Sequence, residues 1–237
     1  MEKLLALLSG PQVFDFIRGP LAWISFVVFF LGLIYQVFSF LSLTKKNEHV
    51  VYNPRPRKKL GHFKITGEDV QNFFKKMKLS VVGVNPVMIV VTTVFHLCLI
   101  IAPLFLLAHN ILLENAIGIG LLSFSESFTD YLTVVFLACG LFFLLRRIFV
   151  ARVRAITDGY DYLFLFIATA PFITGYLAYH QVFPEQFYRL IISLHILSGE
   201  VMLMAVPFTK FVHMIFFFVF RFVIESEYSL GKGDRTW

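Results

Sequence analysis

FHLCLIIAPLFLLAH, residues 95–109, carries a histidine near one end and another at the other. It lies inside a longer run, Leu79–Leu113, in which those two imidazoles are the only acidic or basic side chains. About 20 apolar residues suffice for a helix to cross a bilayer, so this run is long enough to span one. Ionisable side chains are costly at that depth; they face the interior of a helix bundle and mark function. The reading of His96 and His109 therefore decides both the fold and the chemistry.

The rest of the composition agrees with a membrane span. Of the 237 residues, 58% are hydrophobic, 15% are charged and 30 are phenylalanine. Soluble domains carry about 25% charged residues, and so many phenylalanines would not fit one water-soluble core. A polytopic, single-domain helical membrane protein follows. Cys98 and Cys139 both sit in apolar runs and form no disulfide framework; no CxxCH occurs for covalent haem attachment. The opening MEKLLALLSGPQVF has too short an apolar core for a signal peptide and reads as a short interfacial helix, broken at Gly10-Pro11. The net charge of +6 does not imply nucleic-acid binding, because the basic residues lie between apolar spans, where they set topology.

Five spans are predicted, at about residues 21–43, 86–109, 129–145, 162–183 and 190–220, with a basic loop at 44–80. Strands are excluded, since an open sheet edge is not tolerated in lipid and barrel alternation is missing. Thr44–Ser80 holds ten Lys/Arg against three acids, Arg146–Arg154 holds four more, and the tail from Arg221 adds three. The opposite side has Lys3, Arg18 and Arg189. This asymmetry predicts an outside N-terminus, a cytoplasmic C-terminus and a cytoplasmic basic loop. Within that loop EDVQNFFKKMK reads either as a short amphipathic helix or as part of a solvated, topology-fixing loop. The expected fold is thus an all-α integral membrane protein, a five-transmembrane-helix bundle.

His49 and His62 read as surface residues of the basic loop, and His180 as interfacial. The other four histidines form two pairs, His96 and His109 on the second span and His195 and His213 on the fifth. Antiparallel order sets His109 with His195 as an outer pair and His96 with His213 as an inner pair. Eighteen residues are five turns of 3.6, so His195 and His213 share a face on a continuous helix. Thirteen residues are not a whole number of turns, and Pro103 is expected to bend the second span. Paired imidazoles at two depths suit two bis-histidine haem b groups, each iron taking a neutral imidazole from either side. Thr92, Thr93, Ser193 and Ser198 are candidates for bonding the distal ring nitrogens. Zinc lacks a compact ligand set. Lys210, three residues before His213, either pairs with a haem propionate or snorkels toward the cytoplasm. Glu200 either accepts a hydrogen bond, pairs with Lys210, or takes part in quinone proton transfer.

LHILSGEVMLMAVPFTKFVH, residues 194–213, resembles the last helix of the gamma subunit of respiratory nitrate reductase, with its eighteen-residue histidine spacing and PFT-(K/R)-x-V-H ending. ARVRAITDGYD, residues 151–161, resembles the RVRA-containing cytoplasmic loop of the same family. The first histidine pair is more widely spaced than in that subunit. FHLCLIIAPLFLLAH is more similar to the membrane cytochromes of heterodisulfide reductase and of the Dsr and Tmc complexes of sulfate reducers. The resemblance implies His96, His109, His195 and His213 as haem axial ligands, a menaquinone site near the outer haem, a cytoplasmic iron–sulfur partner and, in some complexes, a periplasmic multihaem cytochrome c.

The expected function is that of a di-haem b-type cytochrome in a prokaryotic cytoplasmic membrane, anchoring a respiratory complex. Two other classes make different demands. A haem-free scaffold would show no b-type spectrum. A transporter using Glu200 and Lys210 would show discontinuous helices or related halves.

Overall fold

The computed structural model describes residues 10–44, 67, 71 and 85–222. Most of the basic loop, with His49, His62 and the EDVQNFFKKMK segment, lies outside the described residues, as do the first nine residues and the tail beyond Phe222. Among the described residues the chain is helical, without strands. Five helical runs are long and apolar enough to cross a membrane: Pro11–Leu43, Pro86–Phe105, Glu126–Phe149, Gly159–Tyr179 and Glu185–Phe208. The protein is an all-α, multi-pass membrane protein.

Two compact units divide it, Met1–Asn47 with Leu144–Trp237, and Glu48–Phe143. The first begins at α1 (Pro11–Phe16), whose Pro11 stands in the first turn, where a missing N–H is harmless. Gly10 is extended and the segment before it lies outside the described residues; after α1 a π-helical turn, Ile17–Leu21, carries the chain into α2 (Ala22–Thr44). That turn contains Pro20, which cannot donate to the ladder, and the looser π geometry absorbs the missing bond.

In the second unit α3 (Pro86–Phe105) stops at Leu106, whose backbone is extended, and α4 (Leu107–Ile117) resumes. The expected bend at Pro103 is a full interruption three residues later. α4 ends on Gly118 with φ 73°, a left-handed cap that glycine adopts without steric cost. The unit's core is aromatic: Phe136, fully buried on α5 (Glu126–Phe149), stacks on Phe95 at 4.4 Å, and Phe143 meets Phe95 edge-on at 5.2 Å. Buried Asn110 donates to Leu122 O (3.3 Å) and Ser123 Oγ (2.9 Å), and Phe124 N bonds Phe105 O at 2.9 Å. These bonds fold the loop after α4 back onto the helix break.

In the first unit the short α6 (Ala151–Arg154) leads to α7 (Gly159–Tyr179), which opens on a capping box between Asp158 and Asp161. α7 and α8 (Tyr188–Ala205) form an antiparallel hairpin turned at residues 180–187, where Gln181 adopts φ 47°. After α8 the fifth span does not continue as one helix. A 3-10 turn, Val206–Phe208, an extended Thr209 and a second 3-10 turn, Lys210–Val212, precede α9 (His213–Phe222). Pro207 removes one ladder donor, and the Thr209 hydroxyl, accepting from Phe211 N at 3.3 Å, starts the new turn.

α2 and α8 touch where both lack bulk. Gly32 is buried, and a Cβ on it would stand 2.6 Å from Cβ and Cγ of Pro207. Gln36 Nε2 donates to Pro207 O at 2.7 Å, filling an acceptor in the broken segment. Gly32→Val is therefore expected to lower the thermal midpoint of the purified protein. Overpacking of this kind costs about 1–3 kcal/mol. An unchanged midpoint would mean that this contact does not hold the two helices together.

Candidate functional site

The four histidines singled out above fall two to a unit: His96 and His109 with α3 and α4, His195 and His213 with α8 and α9. Each has Nδ1 against a backbone carbonyl. The distances are 2.7 Å from His96 to Thr92 O, 2.9 Å from His109 to Pro103 O, 2.9 Å from His195 to Pro171 O and 2.6 Å from His213 to Lys210 O. A carbonyl oxygen only accepts, so Nδ1 carries the proton in every case. A metal-ligating imidazole is oriented in the same way, by a carbonyl behind it.

Local structure explains the carbonyls. The interruption at Leu106 takes Pro103 O out of the regular ladder, and the His109 imidazole reaches back six residues to it. His96 reaches its own helix four residues back, at Thr92. His213 stands at the start of α9 and bonds Lys210 O from the preceding 3-10 turn. The eighteen-residue interval between His195 and His213 contains that broken segment. The shared-face argument, which assumed five unbroken turns, therefore does not describe it.

His195 is the most enclosed of the four in its contacts. Its ring lies on α7 at Gly175, where an added Cβ would be 3.0 Å from Cε1 and 3.2 Å from Nδ1. A larger residue there would crowd the ring as it reaches Pro171 O one turn earlier. Thr174 Oγ1 lies 3.4 Å from Nδ1 and 3.3 Å from Ser198 Oγ, bringing a small polar group to the same face. The expected hydroxyl partners act differently. Ser193 donates to Arg189 O and Ser198 to His195 O, and Thr92 contributes its carbonyl. Gly175, Thr174, Pro103 and Pro171 were not signalled as site residues by sequence.

Lys210 Nζ lies 2.9 Å from Asp161 and 4.0 Å from Asp158, and Arg147 stands 3.4 Å from Asp161. The TDGYD and PFTKFVH segments, both noted in the sequence, are thus joined through one carboxylate that also belongs to the α7 capping box. Glu200 is not paired with Lys210. It is 4% exposed, and neither carboxylate oxygen meets a hydrogen-bond partner. The His180 ring lies tilted against Tyr176, with centroids 4.2 Å apart, at the end of α7. Cys98 is buried and Cys139 half-buried, both as thiols. Among the described residues no group of three or more His, Cys, Asp or Glu side chains is arranged to hold a metal ion; a bis-histidine iron takes two.

The chain is 33% identical over 231 residues to a protein of Nitratidesulfovibrio vulgaris whose name states no function, an alignment covering 94% of this chain and 97% of the relative. No protein-family model and no solved structure matches the chain.

Proposed function

This chain belongs to the same family as the Nitratidesulfovibrio vulgaris protein, and we propose that it is a di-haem b-type cytochrome, the membrane anchor of a respiratory redox complex. In this reading it passes electrons across a prokaryotic cytoplasmic membrane, between menaquinone or a periplasmic multihaem cytochrome c and a cytoplasmic iron–sulfur subunit. The observation that carries the proposal is the uniform state of the four imidazoles. Each has its Nδ1 proton held by a backbone carbonyl, which orients the ring as a ligating imidazole is oriented.

His109 and His195 would hold the outer group, and His96 and His213 the inner one, in the pairing that antiparallel chain order gives. When bound, haem supplies a one-electron carrier. The chain's part is to fix each imidazole before binding. Gly175 and Pro171 O set the plane of His195, and the Leu106 interruption provides the acceptor for His109. Lys210, held by Asp161, steadies the turn whose carbonyl orients His213. Basic residues of the cytoplasmic loops would meet the iron–sulfur partner, and quinol would be oxidised near the outer group. The resemblance to the heterodisulfide reductase, Dsr and Tmc membrane cytochromes supports this placement.

The test is a dithionite-reduced minus oxidised absorbance spectrum of the full chain purified with its complex, with haem per chain measured as the pyridine haemochrome. Two haem b groups per chain are expected. A preparation that is folded and membrane-extracted but has no b-type bands would overturn the proposal and leave a haem-free anchor or, given the interrupted second and fifth spans, a transporter.

A further inference from the structure

We propose that Glu200 is the proton-binding group of this membrane segment, gaining a proton as the domain is reduced and releasing it on oxidation. The inference rests on the di-haem reading. Glu200 sits in the middle of α8, and both carboxylate oxygens are buried without a hydrogen-bond partner. It faces away from the histidine site. Five residues separate it from His195, about 140° around the helix and ~7.5 Å along it.

α2 and α7 both pack on α8. α2 and α8 run parallel, with Gly32 against Pro207 and Phe40 against Phe216 further along. Ser25, seven residues before Gly32 on α2, and Glu200, seven residues before Pro207, are both buried. Ser25 Oγ donates to Ala22 O at 2.7 Å and keeps its lone pairs for accepting.

No fixed charge compensates Glu200. Among the elements packed on α8, the π-helical turn brings Arg18 and α2 brings Tyr35, and both are exposed. α7 brings Tyr162 and Tyr176, and Asp161 at its start is taken by Lys210. None of these bonds Glu200.

Burial without donors raises the cost of a carboxylate relative to its neutral acid, and the balance between the two forms then responds to a charge placed nearby. A negative charge added nearby disfavours the carboxylate further, and its removal relieves it. Proton binding at Glu200 therefore follows the electron. On reduction one electron enters from the donor, and one proton from water forms an O–H bond on a Glu200 oxygen. On oxidation that bond breaks and the proton returns to water. Because reduction takes up a proton, the midpoint potential of one haem must fall as pH rises.

The experiment is a redox titration of the haem-loaded complex across a pH series, with redox-difference infrared spectra recorded alongside. One midpoint is expected to fall with pH, and reduction to bring up a protonated-carboxyl C=O band. Glu200→Gln should abolish both, while Glu200→Asp keeps them. Haem potentials that do not vary with pH, or a carboxyl band that persists in Glu200→Gln, would overturn the inference and leave the di-haem reading standing. Should Glu200→Gln fail to assemble, the wild-type band decides alone, and its absence on reduction overturns the proposal. A chain without haem would overturn both.

Discussion

His195→Ala is expected to remove one of two haem b groups and leave the other, halving the haem per chain. His109→Ala should remove that same haem, and His96→Ala and His213→Ala the other. The sizes follow from ligation. A bis-histidine iron that loses one imidazole loses half of its protein attachment, and the remaining Nε2 bond must then hold a large apolar group alone. The two haems should differ in potential, because His195 is half-buried while His96 and His213 are exposed. The lost group can then be assigned by redox-resolved spectra rather than by amount alone. If His195→Ala and His109→Ala depleted components of different potential, the pairing drawn from antiparallel order would be wrong, though haem binding would stand. If all four variants kept full haem, the ligand set itself would be wrong.

The five apolar runs were legible because burial in lipid demands length and low charge, and both can be read directly from the letters. The positions of the four histidines were legible for the same reason, since a titratable ring stands out in an apolar run. What orients the rings was not legible. Thr92, Thr93, Ser193 and Ser198 were natural candidates because their side chains hydrogen-bond, yet the acceptors are main-chain carbonyls, which every residue carries. For His109 and His213 the carbonyl depends on where the helix is interrupted. Pro103 hinted at a failure, but the extended residue is Leu106, and nothing in that leucine announces it.

The fifth span failed for a related reason. LHILSGEVMLMAVPFTKFVH has the apolar content of one long helix, and Pro207 alone is tolerated in many membrane helices. The interruption comes from Pro207 followed at once by an extended Thr209 whose hydroxyl caps the next turn. Lys210 raised two options in the sequence, a propionate or the interface. Its partner, Asp161, lies 49 residues away, beyond the reach of local pattern. Glu200 was conspicuous in the sequence, but its use depended on whether Lys210 was free to pair with it. The ion pair with Asp161 answers that, and it is what makes the carboxyl of Glu200 notable.

Gly175→Val, a change to a residue that is no ligand, is expected to cost the outer haem nearly as heavily as His195→Ala. An alanine Cβ at position 175 would already stand 3.0 Å from Cε1 of His195, tighter than ordinary van der Waals contact. The two γ-methyls of valine add bulk on the same side, and χ1 of a β-branched residue in a helix has little freedom to turn them away. The imidazole must then leave α7, and its Nδ1 proton loses Pro171 O. That loss also removes what fixes the tautomer, so the ring is no longer held with its lone pair on Nε2. Gly175→Ala should fall between the wild type and valine, with weakened outer haem and a shifted potential. Gly159→Ala is the matched control. It lies at the opposite end of α7, and a Cβ there meets nothing within 4 Å, so haem content should be unchanged. Pyridine haemochrome assay of the three variants, with size-exclusion profiles to confirm assembly, measures the series. Full outer haem in an assembled Gly175→Val protein would show that the ring does not need α7, and the carbonyl-oriented imidazole would lose its part in binding.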